Sequence, residues 1–108
     1  MAKYLCLFNL TGETIKRFIA NPSDRAAAIR RVIEPAGAGL ESYYWVFGQY
    51  DGMAIIEAPD SRTIAALSLA VSSSGAFAHF ETHELIENSD LAGIAERARE
   101  IAYTPPGA

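Results

Sequence analysis

Two histidines and an acid occupy alternate positions late in the chain, His79, Glu81 and His83. An imidazole is the side chain best suited to proton transfer near neutral pH. On a helix, histidines at i and i+4 converge on one face and can share a metal. On a strand the same spacing sets them roughly 13 Å apart, so no metal held within one chain is expected. The pair reads either as hydrogen-bonded groups near an interface or as a general acid and base for a bound ligand. In the second reading Tyr43 joins His79 and His83 as a catalytic candidate that orients or deprotonates a phenolic or lactone-like substrate. A further candidate is Gly48-Gln49-Tyr50-Asp51-Gly52, which separates two apolar runs. Both glycines can take positive φ, and Asp51 can bond backbone close by, so the stretch is first a turn. Tyr50 exceeds what a turn requires, and Tyr50 and Asp51 are therefore candidate ligand contacts.

Other reactive residue types lack the company that catalysis needs. Cys6, the one cysteine, lies in an apolar run without a local base and reads as packing; a lone cysteine also suits a reducing compartment. Ser72-Ser73-Ser74-Gly75 is not a Gly-x-Ser-x-Gly elbow. Gly37-Ala38-Gly39 precedes a strand instead of opening a helix, so no nucleotide fingerprint is present and no cofactor is expected. With 9 Lys plus Arg against 13 Asp plus Glu, the formal charge of −4 offers no field for nucleic acid or an anionic membrane. Arg25, Arg30 and Arg31 recur at helical spacing among alanines and read as the wet face of a helix. No run approaches the roughly 20 apolar residues of a membrane span, and MAKYLCLFNL lacks the pattern of a signal peptide, so a cytoplasmic location is expected.

These residues must be positioned by a small fold. The 108 residues, 50% apolar and 20% charged, suit one folded domain over 1–108, with about 104–108 as a frayed tail. Strands are expected over 3–10, 40–47, 53–58 and 77–86, the second and third forming a hairpin. Thr11, Ser23, Asp60 and Ser89 are the expected helix caps, and Leu91, Ile94, Ala98 and Ile101 the inner face of a last helix. The order predicts a ferredoxin-like βαββαβ fold of the α+β class: a four-stranded antiparallel sheet, helices on one face, and an extra C-terminal helix.

With helices on one side, the other side of the sheet must be solvated or covered. Placing the smaller aliphatic residues under the helices leaves Tyr4, Phe8, Tyr43, Trp45, Phe47, Met53, Ile55 and Phe77 on the open face, beside His79 and His83. Such a face predicts a homodimer of the dimeric α/β-barrel type, and a pocket for a small apolar or aromatic ligand contacted by Tyr4, Phe8, Tyr43, Trp45, Tyr50, Asp51, Phe77 and His79.

The Tyr4-to-Leu7 opening, Thr11-Gly12, Gly39, Gly48-x-Tyr50-Asp51, Glu57-Ala58-Pro59-Asp60, Gly75 and Glu81-Thr82 together resemble the GYD-domain family of small bacterial and archaeal proteins. The resemblance implies a ferredoxin-like, dimeric fold without an established activity, and it supplies no catalytic residue. His79, His83 and the helix beyond residue 88 lie outside the shared pattern. The expected function is small-molecule binding or sensing. A cofactor-independent oxygenase or isomerase acting on an aromatic or lactone substrate is the alternative, and a structural subunit of a larger assembly a third.

Overall fold

The apolar runs rich in aromatic and β-branched residues assemble into one sheet. A computed structural model describing residues 1–108 places β1 at Ala2–Leu10, β2 at Gly39–Trp45, β3 at Gly52–Ala58 and β4 at Phe77–Leu85. Their order is β2-β3-β1-β4, with every neighbouring pair antiparallel. Helices α1 (Gly12–Ala20) and α2 (Arg25–Ile33) link β1 to β2, and α3 (Ser61–Ser72) links β3 to β4. This is the ferredoxin-like arrangement that the element order implies, with α4 (Leu91–Arg99) appended. No helix is long and apolar enough to cross a membrane.

Three helices start on side-chain caps. Thr11 Oγ1 accepts from the Thr14 amide at 3.1 Å, Asp24 Oδ1 from Ala27 at 3.1 Å, and Asp60 Oδ1 from Thr63 at 2.8 Å. Asp24, not Ser23, opens α2; a carboxylate there also meets the positive end of the helix dipole. Ser89 caps nothing, because it lies inside a 3₁₀ turn, Asn88–Asp90, that runs directly into α4. The expected inner face of α4 has no counterpart in this chain: Leu91, Ile94 and Ile101 are all exposed.

The largest departure concerns which face the first strand presents. Tyr4 and Phe8 are each only 3% exposed and lie under the helices with Cys6, not on the open face. Residues directly opposite in an antiparallel ladder point the same way. Tyr4 is opposite Ile56, Cys6 opposite Ala54 and Phe8 opposite Gly52, so these six residues share one side, with the Phe8 ring of β1 set against the glycine of β3. Bulk on one strand fills the space that its neighbour leaves, which is how a core reaches close packing. A core of small aliphatics alone would have left that space empty.

Two register shifts complete the correction. One between Leu40 and Ser42 brings Leu40 and Tyr43 to the helix side together. The other, at Asn9 and Leu10, passes over Ala78, so Phe77 turns inward beside Phe8 while His79 stays outward. Trp45 follows Tyr43 inward and Phe47 lies past the strand end at φ 55°, stacked on Trp45. The open face is therefore Leu5, Leu7, Met53, Ile55 and Tyr44, edged by Lys3, Glu57 and the histidine strand. It is mainly aliphatic where an aromatic face was expected.

Gly52 lies beneath the Phe8 ring, and a Cβ there would come within 2.5 Å of it. Gly52→Ala should cost about 1–3 kcal/mol by overpacking. Gly48 has open space around its Cβ direction and, like Gly52, is not in the positive-φ region. Gly48→Ala should stay within about 0.5 kcal/mol of the parent, as surface substitutions usually do. Urea denaturation of both variants checks the pair.

Candidate functional site

The aromatic residues that alternation placed on the open face gather instead in a cleft on the helix side. Its floor is Tyr43, Trp45 and Phe77, with Phe18 of α1 at 6.1 Å from the Trp45 ring and Ile29 and Val71 on the walls of α2 and α3. The space measures about 900 Å³ and is largely apolar, and Arg17 and Arg25 stand among its lining residues. It exists because α1 leaves the sheet: none of its residues is buried, and Ile15 and Ile19 point into solvent. Below the floor, Phe8 contacts Tyr43, Trp45 and Phe77 at centroid distances of 5.9, 5.9 and 5.4 Å, offset or edge-on as aromatic quadrupoles prefer. Burial raises the Tyr43 phenol pKa above its ordinary value, and the charge of Arg25 opposes that rise.

A second constellation occupies the opposite side of the sheet. Strand alternation presents His79, Glu81 and His83 together, and both imidazoles reach the same carboxylate: His79 Nε2 lies 2.6 Å from Glu81 Oε2, and His83 Nε2 lies 2.8 Å from Oε1. Tyr50 donates its hydroxyl to Oε2 at 2.7 Å, and its ring stacks on His79 at 6.3 Å. Three hydrogen-bond partners hold the Glu81 carboxyl down at about 2, the Tyr50 hydroxyl contributing most and the two histidines next. The same bond raises the Tyr50 pKa. Alternation had already put Glu81 beside the histidines. That one carboxylate would engage both of them and a tyrosine from another strand connection had no signal in the sequence.

The catalytic grouping of Tyr43 with His79 and His83 does not form within the chain. Tyr43 lies under the helices, and the histidines face outward across the sheet. Tyr50 stands beside the histidines instead. Asp51 is held by the fold: its Oδ2 accepts from the Leu10 amide at 2.9 Å, and its own amide donates to the Phe8 carbonyl at 2.9 Å. It thus ties the β2–β3 connection to β1 across the chain, where bonds within the turn were expected. Neither flanking glycine uses positive φ; Phe47 does. Cys6 is buried, which pushes its thiol up to about 11, and it stays a protonated packing group.

The family model of the GYD domain matches residues 4–95. The chain belongs to the GYD-domain family. Within this GYD domain the three residues of Gly48-x-Tyr50-Asp51 have separate surroundings: Gly48 is open, Tyr50 reaches Glu81, and Asp51 is bonded to β1. In structure the domain is similar to the crystal structure of FFRP-DM1, with a TM-score of 0.51 and 14% identity, covering 80% of this chain and 100% of that one. It is also similar to the hypothetical protein PHS023 from Pyrococcus horikoshii, with a TM-score of 0.50 and 14% identity, covering 83% of this chain and 95% of that one. At such identity the likeness concerns the fold alone. No curated protein sequence matches the chain as a relative.

The Glu81 cluster has a pH signature. Its carboxyl titrates at about 2 when folded against an ordinary 4.5, so its contribution to stability is complete above about pH 4.5 and is lost as the pH falls toward 2. Glu81→Gln should flatten that acid limb. Tyr50→Phe should move the limb to higher pH, since the hydroxyl is the leading cause of the depression. Urea midpoints measured from pH 7 down to 2 check both variants.

Proposed function

We propose that this GYD domain is a homodimeric small-molecule-binding protein whose ligand lies in the helix-side cleft. The observation that carries the reading is the cleft itself. About 900 Å³ of largely apolar space, floored by three aromatic rings that Phe8 braces from below, is within the size range of ligand sites and is formed without a ligand. A purely structural subunit has no need of such a void. The oxygenase or isomerase reading loses its specific constellation when Tyr43 and the histidines lie on opposite sides of the sheet.

The dimer is supported by surface. The chain exposes 7611 Å², whereas a compact monomer of its 11.7 kDa mass exposes about 5,900 Å². The excess, about 1,700 Å², exceeds the roughly 800 Å² that each partner contributes to a stable interface. The radius of gyration, 17.5 Å, likewise exceeds the about 13 Å of a compact chain this long. Exposed apolar residues of α1 (Ile15, Ile19) and α4 (Leu91, Ile94) contribute to that excess, and α4 and the open sheet face, where Tyr44 is exposed, are the surfaces we assign to a partner copy. Two copies joined through those faces about a two-fold axis set two four-stranded sheets face to face, as in a dimeric α/β barrel, with the Glu81 cluster at the edge of the contact.

Two measurements test the reading. Neutral aromatic probes such as indole and p-cresol should raise the melting temperature of the parent protein and not that of Trp45→Ala; a flat response from the parent would sink the cleft as a ligand site. Sedimentation at micromolar concentration should give twice the chain mass, and Leu7→Glu, which sets a charge in the middle of the open face, should give a monomer. A monomeric parent would overturn the dimer.

A further inference from the structure

The cleft is not uniformly apolar, and its one free cation restricts what it can hold. Arg17 pairs with Glu13 one helical turn away at 3.4 Å. Arg25 has no carboxylate partner, and its only side-chain hydrogen bond is a long one to Ser23 Oγ at 3.5 Å. Arg25 is also the first residue of α2, where the helix dipole disfavours a positive charge. Helix stability therefore gives no reason for an arginine at that position. Its charge acts on Tyr43, whose ring forms part of the floor, so the guanidinium and the aromatic surface address the same space. A guanidinium presents a planar fork of donors matched to a carboxylate.

Resting on the cleft as the ligand site, we infer that its ligand is an aromatic monocarboxylate, with the ring laid on Tyr43, Trp45 and Phe77 and the carboxylate at Arg25. A single anionic group fits because the second arginine is already paired. The apolar walls formed by Ile29 and Val71 favour an unsubstituted ring over a polar one. Phe18 of α1, whose ring centroid lies 6.1 Å from that of Trp45, adds a further aromatic surface at the cleft mouth.

Trp45 is the sole tryptophan, so its fluorescence reports occupancy of this cleft without a label. The full-length protein is titrated with benzoate, phenylacetate and indole-3-acetate for competition by melting temperature, and with benzamide and phenylacetamide as neutral partners of the same shape. The acids should bind about ten-fold tighter than their amides, the scale of a partly solvated charge-assisted hydrogen bond. Arg25→Gln should abolish that preference and leave amide affinity within about two-fold, and Arg25→Lys should restore only part of it. Because Arg25 is exposed and unfavourably placed on the helix dipole, Arg25→Gln should melt no lower than the parent, which separates loss of binding from loss of fold. Equal affinity for acids and amides, or an acid preference that survives Arg25→Gln, would overturn the ligand class while leaving the cleft as a binding site. Binding of neither series would overturn both.

Discussion

The Phe8 ring lying over Gly52 is the contact on which the rest of the molecule depends. A bulky ring at the centre of the sheet can lie flat against the neighbouring strand only where that strand has no side chain, and Gly52 supplies the gap. From there Phe8 meets Tyr43, Trp45, Phe77 and Phe80, which come from the two edge strands of the sheet. One ring on the central strand β1 thereby braces residues on β2 and β4 that do not touch through hydrogen bonds. The neighbouring connection is fixed at the same place, since the Phe8 carbonyl receives the Asp51 amide. Packing and backbone hydrogen bonding converge on one residue, and the cleft floor and the Tyr50 loop both follow from it.

The sheet is a single layer with two chemically different sides. Its helix side is aromatic and only partly covered, because α2 and α3 pack on it while α1 stands away. Its open side is aliphatic at the centre and polar along β4. The two sides thus offer different surfaces: an aromatic cleft on one and an aliphatic, polar-edged sheet face on the other. Strand β2 carries Tyr43 and Trp45 toward the cleft and Tyr44 toward the open face, so it contributes side chains to both surfaces.

Along β4 the electrostatics are local. Glu81 is not deeply buried, and the low pKa of its carboxyl comes from three donors arranged around two oxygens, with desolvation acting in the opposite direction. The Tyr50 hydroxyl reaches it from the β2–β3 connection, so the loop that ties down through Asp51 on one strand ties down through Tyr50 on another. The connection is thus anchored at two points, on β1 and on β4, and its glycines supply clearance more than unusual backbone angles.

Element order, strand count, the hairpin, and the caps at Thr11 and Asp60 were legible in the sequence by itself, because periodicity and capping chemistry are local. The pairing of His79, Glu81 and His83 on one face was legible for the same reason. Which side of the sheet each alternating set faces was not. Alternation divides a strand into two sets without naming the side, and the choice depends on what lies across the ladder: Gly52 of β3 had to be opposite Phe8 of β1 for the core to fill. Single-residue shifts at Leu40 to Ser42 and at Asn9 to Leu10 then moved Tyr43 and Phe77 relative to their neighbours. Those shifts arise from backbone pairing between distant segments, so only the tertiary structure could decide that the aromatic residues form a cleft beneath the helices while the histidines remain on the other face.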